Sequence, residues 1–536
     1  MSNEALRKKA EQAQVIFDEL VNQYDIKPIP TTFVAEPRRE AQFKKACFTE
    51  NPFPGPFAAA MVEKRLPGVN KLFKDEKVLQ TPAIAAVLAA CSSVATEIGE
   101  LRGDDVSGAE TYCDVALAGL QAIRLFMSDN KGKKFRKKRF DSAASVNNAI
   151  NGSFYKYKAG DGRDISFHVY YQDQQRKLFE SMGMSKPSSQ YTFFSIPGDK
   201  KEIAQRVSER TAIELEEMAF DAGACASMIR SREEWEQTEV GKAVCAMPLI
   251  GEKKFGDSPA PSYGKPNSRG PLSGIKVLDL THIIAGPACS RVLAEYGADV
   301  LMIRRGKYMD QEQAMLELDG WAGKNSIQLD FNNPSQLQRA KELIKEADVI
   351  TYSYQNGTLD HFGLSEADIR ELNPNIIYSN LNCFSDSVWK QRPGWAPCAE
   401  DISGLSVRNG SMEKPVNLNG VPLDYFPGFI LALGTLLAIS HRLKNGGGYK
   451  VTTSLTRGAQ YLHECSDLCQ SRSGGKNSRV MEYTREPVWD RVRNYVSADC
   501  LEGSVGFPGP ACCNTAYRQN IKNLSFSDGN TGWNQK

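Results

Sequence analysis

The stretch Leu272–Arg305, LSGIKVLDLTHIIAGPACSRVLAEYGADVLMIRR, constrains the fold more than any other part of the chain. Ile275, Val277, Leu278 and Leu280 form the short apolar run that a strand buried on both faces requires. Thr281–Pro287 reads as a turn, and Ala288–Tyr296 as a helix with apolar residues at helical spacing. Gly297 ends that helix, because glycine takes up the left-handed conformation of a helix terminus without steric cost. Ala298–Ile303 is a second apolar run, so the segment predicts a βαβ unit and, with it, a parallel sheet in an α/β fold. Arg304 and Arg305 follow the second strand, at the sheet edge where open α/β folds place their ligands. The turn carries neither GxGxxG nor a Walker lysine. An anionic ligand is expected there, held by something other than the usual phosphate loops.

Composition sets outer bounds. A chain of 536 residues, 41% of them hydrophobic, buries a large core in two or more domains. A net charge of +2 gives no electrostatic reason to expect nucleic acid or a membrane surface. No run of about 18 apolar residues is seen, which predicts no membrane-spanning helix. The N-terminus is amphipathic but carries Glu4, Glu11, Asp18 and Glu19, against the pattern of a cleaved leader, so a cytoplasmic location is expected. Thirteen cysteines lie scattered without CxxC pairs, and the five histidines (168, 282, 361, 441 and 463) have no metal-ligand spacing with them. Reduced thiols and no metal site are therefore expected. The basic run Lys131–Arg139 reads as a solvated loop.

The wording VLDLTHIIAGP, then GADV and paired arginines, resembles the family III CoA-transferases, the CaiB/BaiF or carnitine dehydratase-like family. The resemblance continues through GKNSIQLDFNNP (Gly323–Pro334), ADVITYSYQNGTLDHFGLS (Ala347–Ser365) and LNPNIIYSNLNCFS (Leu372–Ser385). It ends with RPGW (Arg392–Trp395) and the long block Pro422–Leu455, covering roughly residues 271–455 in all. It implies a Rossmann-like large domain with a smaller α+β domain. The implied activity moves CoA between an acyl-CoA and a carboxylic acid, with the CoA thioester as substrate and no permanently bound cofactor. Homodimeric assembly is also implied.

The resemblance further implies site residues. Asp424, in PLDYFPG, matches the family's nucleophilic aspartate, and Gly428 a glycine of the same motif. The sequence places Asp424 just before a helix beginning near Pro427, where the helix dipole favours a carboxylate; an Asp at such a place also serves as a plain N-cap. His282, Ile283 and Ala285 resemble residues lining the CoA pantetheine and adenine, and Arg305 an arginine that contacts CoA phosphates. Thr358, His361 and Phe362 occupy a second CoA-contact loop, with His361 where the family usually has arginine. Trp395 stands where the related 2-methylacyl-CoA racemases carry a histidine in a G-H-D context, so the sequence favours transfer over racemisation. Glu400 and Asp401 offer substitute carboxylates, with a solvated helix surface as their plainer role. A catalytically weak acyl-CoA-binding protein is the alternative of a different class.

The first half carries its own pattern. Ala83–Leu101 is a small-residue apolar helix followed by TYCDVAL in a strand position, as Gly428–Leu443 is followed by KVTTSL. Gly162–Tyr171, a helical stretch around 202–220, Glu234–Val244 and PLIGEKKFGDSPAP resemble the family's small domain and closing segment, here placed ahead of the large domain. Residues 1–265 thus read as a degenerate first module without a nucleophile. Residues 266–455 read as the large CoA-binding domain and 456–536 as its completion, with Asp257–Pro271 as linker. Such a tandem chain would pair as a homodimer or imitate that pairing within itself.

Overall fold

The computed structural model describes residues 2–35, 76–122, 129–130, 156–169, 172–184, 200–304, 318–418, 420–472, 480–482, 496–500, 503–507 and 511–517. The basic run Lys131–Arg139 and Arg305 lie outside the described residues.

In the first half, helix α1 (Ser2–Gln23) leads into strand β1 (Thr31–Ala35), and helix α2 (Gln80–Leu101) into strand β2 (Thr111–Asp114) and helix α3 (Val115–Gln121). β1 and β2 are parallel, Phe33 facing Cys113. A separate antiparallel unit follows: strands β3 (Lys156–Lys158), β4 (Asp164–Phe167) and β5 (Ala226–Met228), in that order. They are covered by helix α4 (Gln172–Ser181), residues 200–208 and helix α5 (Ala212–Asp221). Its core, Ile165, Phe167, Leu178, Phe179, Ile203 and Leu215 among others, does not merge with the main one.

Seven strands build the large sheet: β6 (Gly251–Phe255), β7 (Lys276–Leu280), β8 (Asp299–Arg304), β9 (Asn325–Gln328), β10 (Val349–Tyr352), β11 (Ile377–Asn382) and β12 (Gly448–Ser454). Their order is β9-β8-β7-β10-β11-β12-β6, with all pairs parallel except the β6 edge. The order runs outwards in both directions from β7 and β10, so a topological switch point lies between them, Leu278 facing Ile350. The expected βαβ unit is β7, helix α6 (Ala285–Glu295) and β8, the helix starting three residues earlier than its apolar period suggests. Helix α7 (Pro334–Glu346) and helix α8 (Glu366–Leu372) cover one face, and helix α9 (Ala396–Ile402), helix α10 (Pro422–Asn445) and helix α11 (Leu455–Ser471) complete this half.

Contrary to the sequence expectation, α2 and α10 are each long and apolar enough to cross a bilayer. They are core helices: 83% of the most apolar stretch of α2 and 94% of that of α10 is buried, and the two pack on one another. Their apolarity comes from Ala, Leu and Ile with Val or Phe, and the small Ala, Gly, Ser and Thr among them let helices approach closely inside a protein. In both halves a long apolar helix leads into a strand that pairs in parallel with a strand from earlier in the chain (α2 into β2 beside β1, α10 into β12 beside β11). The halves also exchange strands. β6, from the closing segment of the first module as delimited by sequence, is the edge of the large sheet. Residues 512–514, from the C-terminal segment, pair with β2, and residues 480–482 with β1.

Candidate active site

The carboxyl ends of β7, β8, β10 and β11 open into a cavity of about 360 Å³ at the switch point. The turn after β7 supplies Thr281–Gly286 and the end of β8 Met302–Arg304. The loop after β10 gives Ser353–Gln355 and Thr358, and the segment after β11 gives Cys383, Lys390 and Arg392–Ala396. Asp424 contributes from α10 and Gln174 from α4 of the first half.

Asp424 sits inside the helix, as its third residue, and not ahead of it. Pro427 had marked the start because proline favours the first helical turn. Pro422 takes that role instead, and the burial of Leu423, Tyr425 and Phe426 draws the helix one turn further back, with Pro427 accommodated inside it. Four residues on, Gly428 packs against α6 so closely that a Cβ there would stand 2.1 Å from the Ala285 carbonyl oxygen. That contact sets Asp424 beside the turn His282–Ala285, on the same face of α10. Ile283 in this turn has φ 67°, a left-handed conformation costly for a β-branched residue.

Beneath the turn is a buried charge network. Lys324 Nζ donates to Asp279 Oδ2 (2.7 Å), Ser290 Oγ (2.7 Å) and the Pro287 carbonyl (2.9 Å). Asp279 Oδ1 accepts from the Thr281 hydroxyl and from Thr351 (3.1 Å). Burial disfavours the Asp279 anion, but Lys324 and the hydroxyls outweigh it and hold the carboxyl below its usual range. The network ties β7, α6 and β10 together directly under the cavity.

Asp424 is only partly exposed, through the cavity, and the surrounding protein desolvates its carboxyl. That burial, with the Glu400 carboxyl and the Cys398 thiol nearby, pushes it up to about 8. Glu400 and Asp401 are buried on α9, not solvated as the sequence suggested, because residues of the first half and Asn417 cover them. Burial raises Glu400 to about 7, although its Oε2 accepts from the Leu418 N–H (2.9 Å) and the Asn417 amide (3.0 Å). Asp401 accepts from Ser166 Oγ (2.6 Å) and lies 3.4 Å from His168 Nε2, both on or next to β4. Burial opposes its charge, but His168, Lys156 and Ser166 prevail and hold it low. Burial alone would raise the Cys398 thiol; Cys225, His168 and the Trp395 N–H outweigh it and bring it to about 6.

The positions carried over from sequence part company here. His282, Ile283, Ala285, Thr358, Trp395 and Asp424 meet in the cavity wall. The His282 ring stacks on Tyr354, centroids 4.6 Å apart, and Trp395 caps the start of α9. His361 and Phe362 are outside the lining, His361 exposed and Phe362 packed on Phe331. Arg304, which the sequence put at the ligand-binding sheet edge, lines the cavity, as do Lys390 and Arg392, which the sequence reading left unassigned. Arg304 lies over the Trp321 ring (5.1 Å), Lys390 is exposed, and Arg392 is clamped by both Glu217 oxygens of α5 beneath the rings of Phe220 and Trp389. Gln174 adds an amide whose buried Oε1 accepts no hydrogen bond. Arg392 was visible within RPGW; nothing local marks Gln174, because only tertiary packing brings α4 over the cavity. Among the described residues no cluster of three or more His, Cys, Asp or Glu side chains is arranged to hold a metal ion.

The arrangement is a switch-point cavity in an α/β fold, lined by the Asp424 carboxylate and by Arg304, Lys390 and Arg392. Residues 272–500 match the model of CoA-transferase family III. An acyl-CoA transferase of Gibberella moniliformis is 35% identical over 269 residues, which cover 47% of this chain and 47% of that protein. Formyl-CoA:oxalate CoA-transferase of Escherichia coli is 32% identical over 197 residues, 34% of this chain and 47% of that one. The crystal structure of a hypothetical protein from Mycobacterium tuberculosis aligns with 39% of this chain and 61% of its own, at 26% identity and a TM-score of 0.34. The chain spans about half the length of the curated relatives it matches.

Proposed function

We propose that the protein moves CoA between an acyl-CoA donor and a free carboxylic acid, with Asp424 as nucleophile. The observation that carries this reading is the Asp424 carboxylate at the floor of a cavity walled by the segments that match the family. In the ionised form one carboxylate oxygen attacks the thioester carbonyl, and the C–S bond breaks to give a mixed anhydride and CoA thiolate. The thiolate attacks the aspartyl carbonyl, releasing the donor acid and leaving an aspartyl-CoA thioester. The acceptor carboxylate displaces CoA again, and thiolate attack on the acceptor's acyl carbon regenerates Asp424. Each hard substitution is split into easier ones. The first turn of α6, whose amides have no preceding helical carbonyl, lines the cavity at Ala285 and Gly286 and suits developing oxyanions. Arg304, Lys390 and Arg392 suit the phosphates of CoA.

The packing of α2 on α10 supports pairing of the halves within one chain, giving a monomeric mass by light scattering. Incubation with a panel of acyl-CoAs and carboxylic acids, followed by mass spectrometry of the CoA esters, tests the activity. New acyl-CoAs matching the added acids are expected; none from any pair would reject the reading.

A further inference from the structure

α4 (Gln172–Ser181) turns one face to the core of the antiparallel unit: Leu178 and Phe179 are buried there, and Gln175 Nε2 donates to the Val169 carbonyl (2.9 Å). On the opposite face Asp173, Arg176, Lys177 and Glu180 pair with one another in solvent. Gln174 stands between those faces, half-buried, and is the one residue of the first half among the described residues of the cavity wall. Two contacts fix the unit that carries it against the cavity. Asp401 on α9 accepts from Ser166 Oγ (2.6 Å), and Arg392 in the wall donates to Glu217 Oε1 (3.0 Å). Gln174 Oε1 is buried, yet it accepts no hydrogen bond among the described residues. The other amide side chains of the wall are engaged: Asn382 Oδ1 accepts from the Ser385 N–H (2.5 Å), and Gln355 Nε2 donates to the Gln391 carbonyl. A buried acceptor left unpaired is costly, and a binding cavity orients its ligand with a few such polar groups.

Resting on the reading of Asp424 as nucleophile, we propose that one of the acids exchanged carries a hydroxyl group on its acyl chain, which donates to Gln174 Oε1 and makes Gln174 a specificity-determining residue. Oε1 turns into the cavity about the last side-chain bond, a soft torsion, and that turn breaks no hydrogen bond of the oxygen. Leu381, Trp395, Ala396 and Leu455 give the same wall apolar surface for the rest of the chain. The missing partner is a donor, which excludes a ketone, an ether or a second carboxylate. An ammonium also donates, but it would share the cavity with Arg304, Lys390 and Arg392, against Asp424 as the one carboxylate among the described lining residues. A hydroxyl donates and carries no charge, so it meets both conditions. On this reading the first half selects the acid, while the large sheet's half holds CoA and the nucleophile.

With one acyl-CoA donor, kcat/KM for 2-, 3- and 4-hydroxybutyrate as acceptors is compared with that for butyrate in wild type, Gln174→Leu and Gln174→Glu. Wild type should favour at least one hydroxy acid by about tenfold or more. Gln174→Leu should bring that ratio to about one, with butyrate turnover and the donor's KM within about twofold of wild type. Gln174→Glu, which keeps an accepting oxygen, should keep the preference. Gln174→Ala takes the place of Gln174→Leu if the latter does not fold. No preference in wild type, or the same preference in Gln174→Leu, overturns the proposal. If no acid is exchanged at all, the CoA thioesters of the same acids are compared by titration calorimetry. A Kd preference for a hydroxyacyl-CoA that Gln174→Leu removes then upholds the subsite and rejects the transferase reading. Equal Kd values reject the subsite, so the two failures are distinguishable.

Discussion

Desolvation and the Glu400 carboxyl hold Asp424 at about 8, so exchange should rise with pH as its carboxylate forms, with a midpoint near that value in a rate profile. The same shift has a stability sign. The folded state keeps the proton longer than the unfolded chain does, so the stability this proton contributes is full below the usual carboxylate range and lost as pH rises through about 8. Asp424→Asn should therefore melt higher than wild type at pH 8, by about 1 kcal/mol once water in the cavity is allowed for, in a calorimetric comparison. Its exchange activity should fall by at least about two orders of magnitude. Asp424 itself was legible from its motif. Glu400 and Asp401 were not, since a short helix does not show from sequence which side another part of the chain will cover. Asp279 left a signal that went unused, a charged residue in the apolar run VLDL; its partner Lys324 lies 45 residues away.

At the level of elements, local patterns carried most where they were strong. The run of apolar residues and the Gly297 stop located β7, α6 and β8 within a few residues. The start of α10 was misplaced because burial overrode the local preference of Pro427. The contact between α6 and α10 depends on Gly428, and the Cβ of Gly428→Ala would meet backbone that is not free to yield. That variant should lose about 1–3 kcal/mol in urea unfolding and also lower kcat, because the same contact places Asp424. Racemisation needs a base on each face of the α-carbon. Trp395, at the position that by resemblance carries the racemases' histidine, lines the cavity, and Glu400 is not part of its wall. In deuterated buffer no deuterium should enter the α-position of a 2-methylacyl-CoA; its appearance, lost in Asp424→Ala, would favour the racemase reading.

Across the whole molecule, neither half owns the site. The large sheet supplies the cavity, while α4 and α5 of the first half supply Gln174 and the Glu217 clamp on Arg392, and β4 meets Asp401. The family resemblance runs over roughly residues 271–455, and strand exchange between halves was beyond it, because pairing across hundreds of residues leaves no local trace. Glu217→Ala frees Arg392 from its clamp. It should raise KM for acyl-CoA several-fold with a smaller change in kcat, in steady-state kinetics with a saturating acid.

Oxygen bookkeeping reaches the nucleophile most directly. If Asp424 passes through an anhydride with the acceptor, one acceptor oxygen stays on its side chain after each turnover. With an acceptor acid labelled in its carboxylate with oxygen-18, mass spectrometry of the peptide containing Asp424 should show that label and no other carboxyl of the protein should gain it. Exchange that proceeds with Asp424 unlabelled would contradict the mechanism.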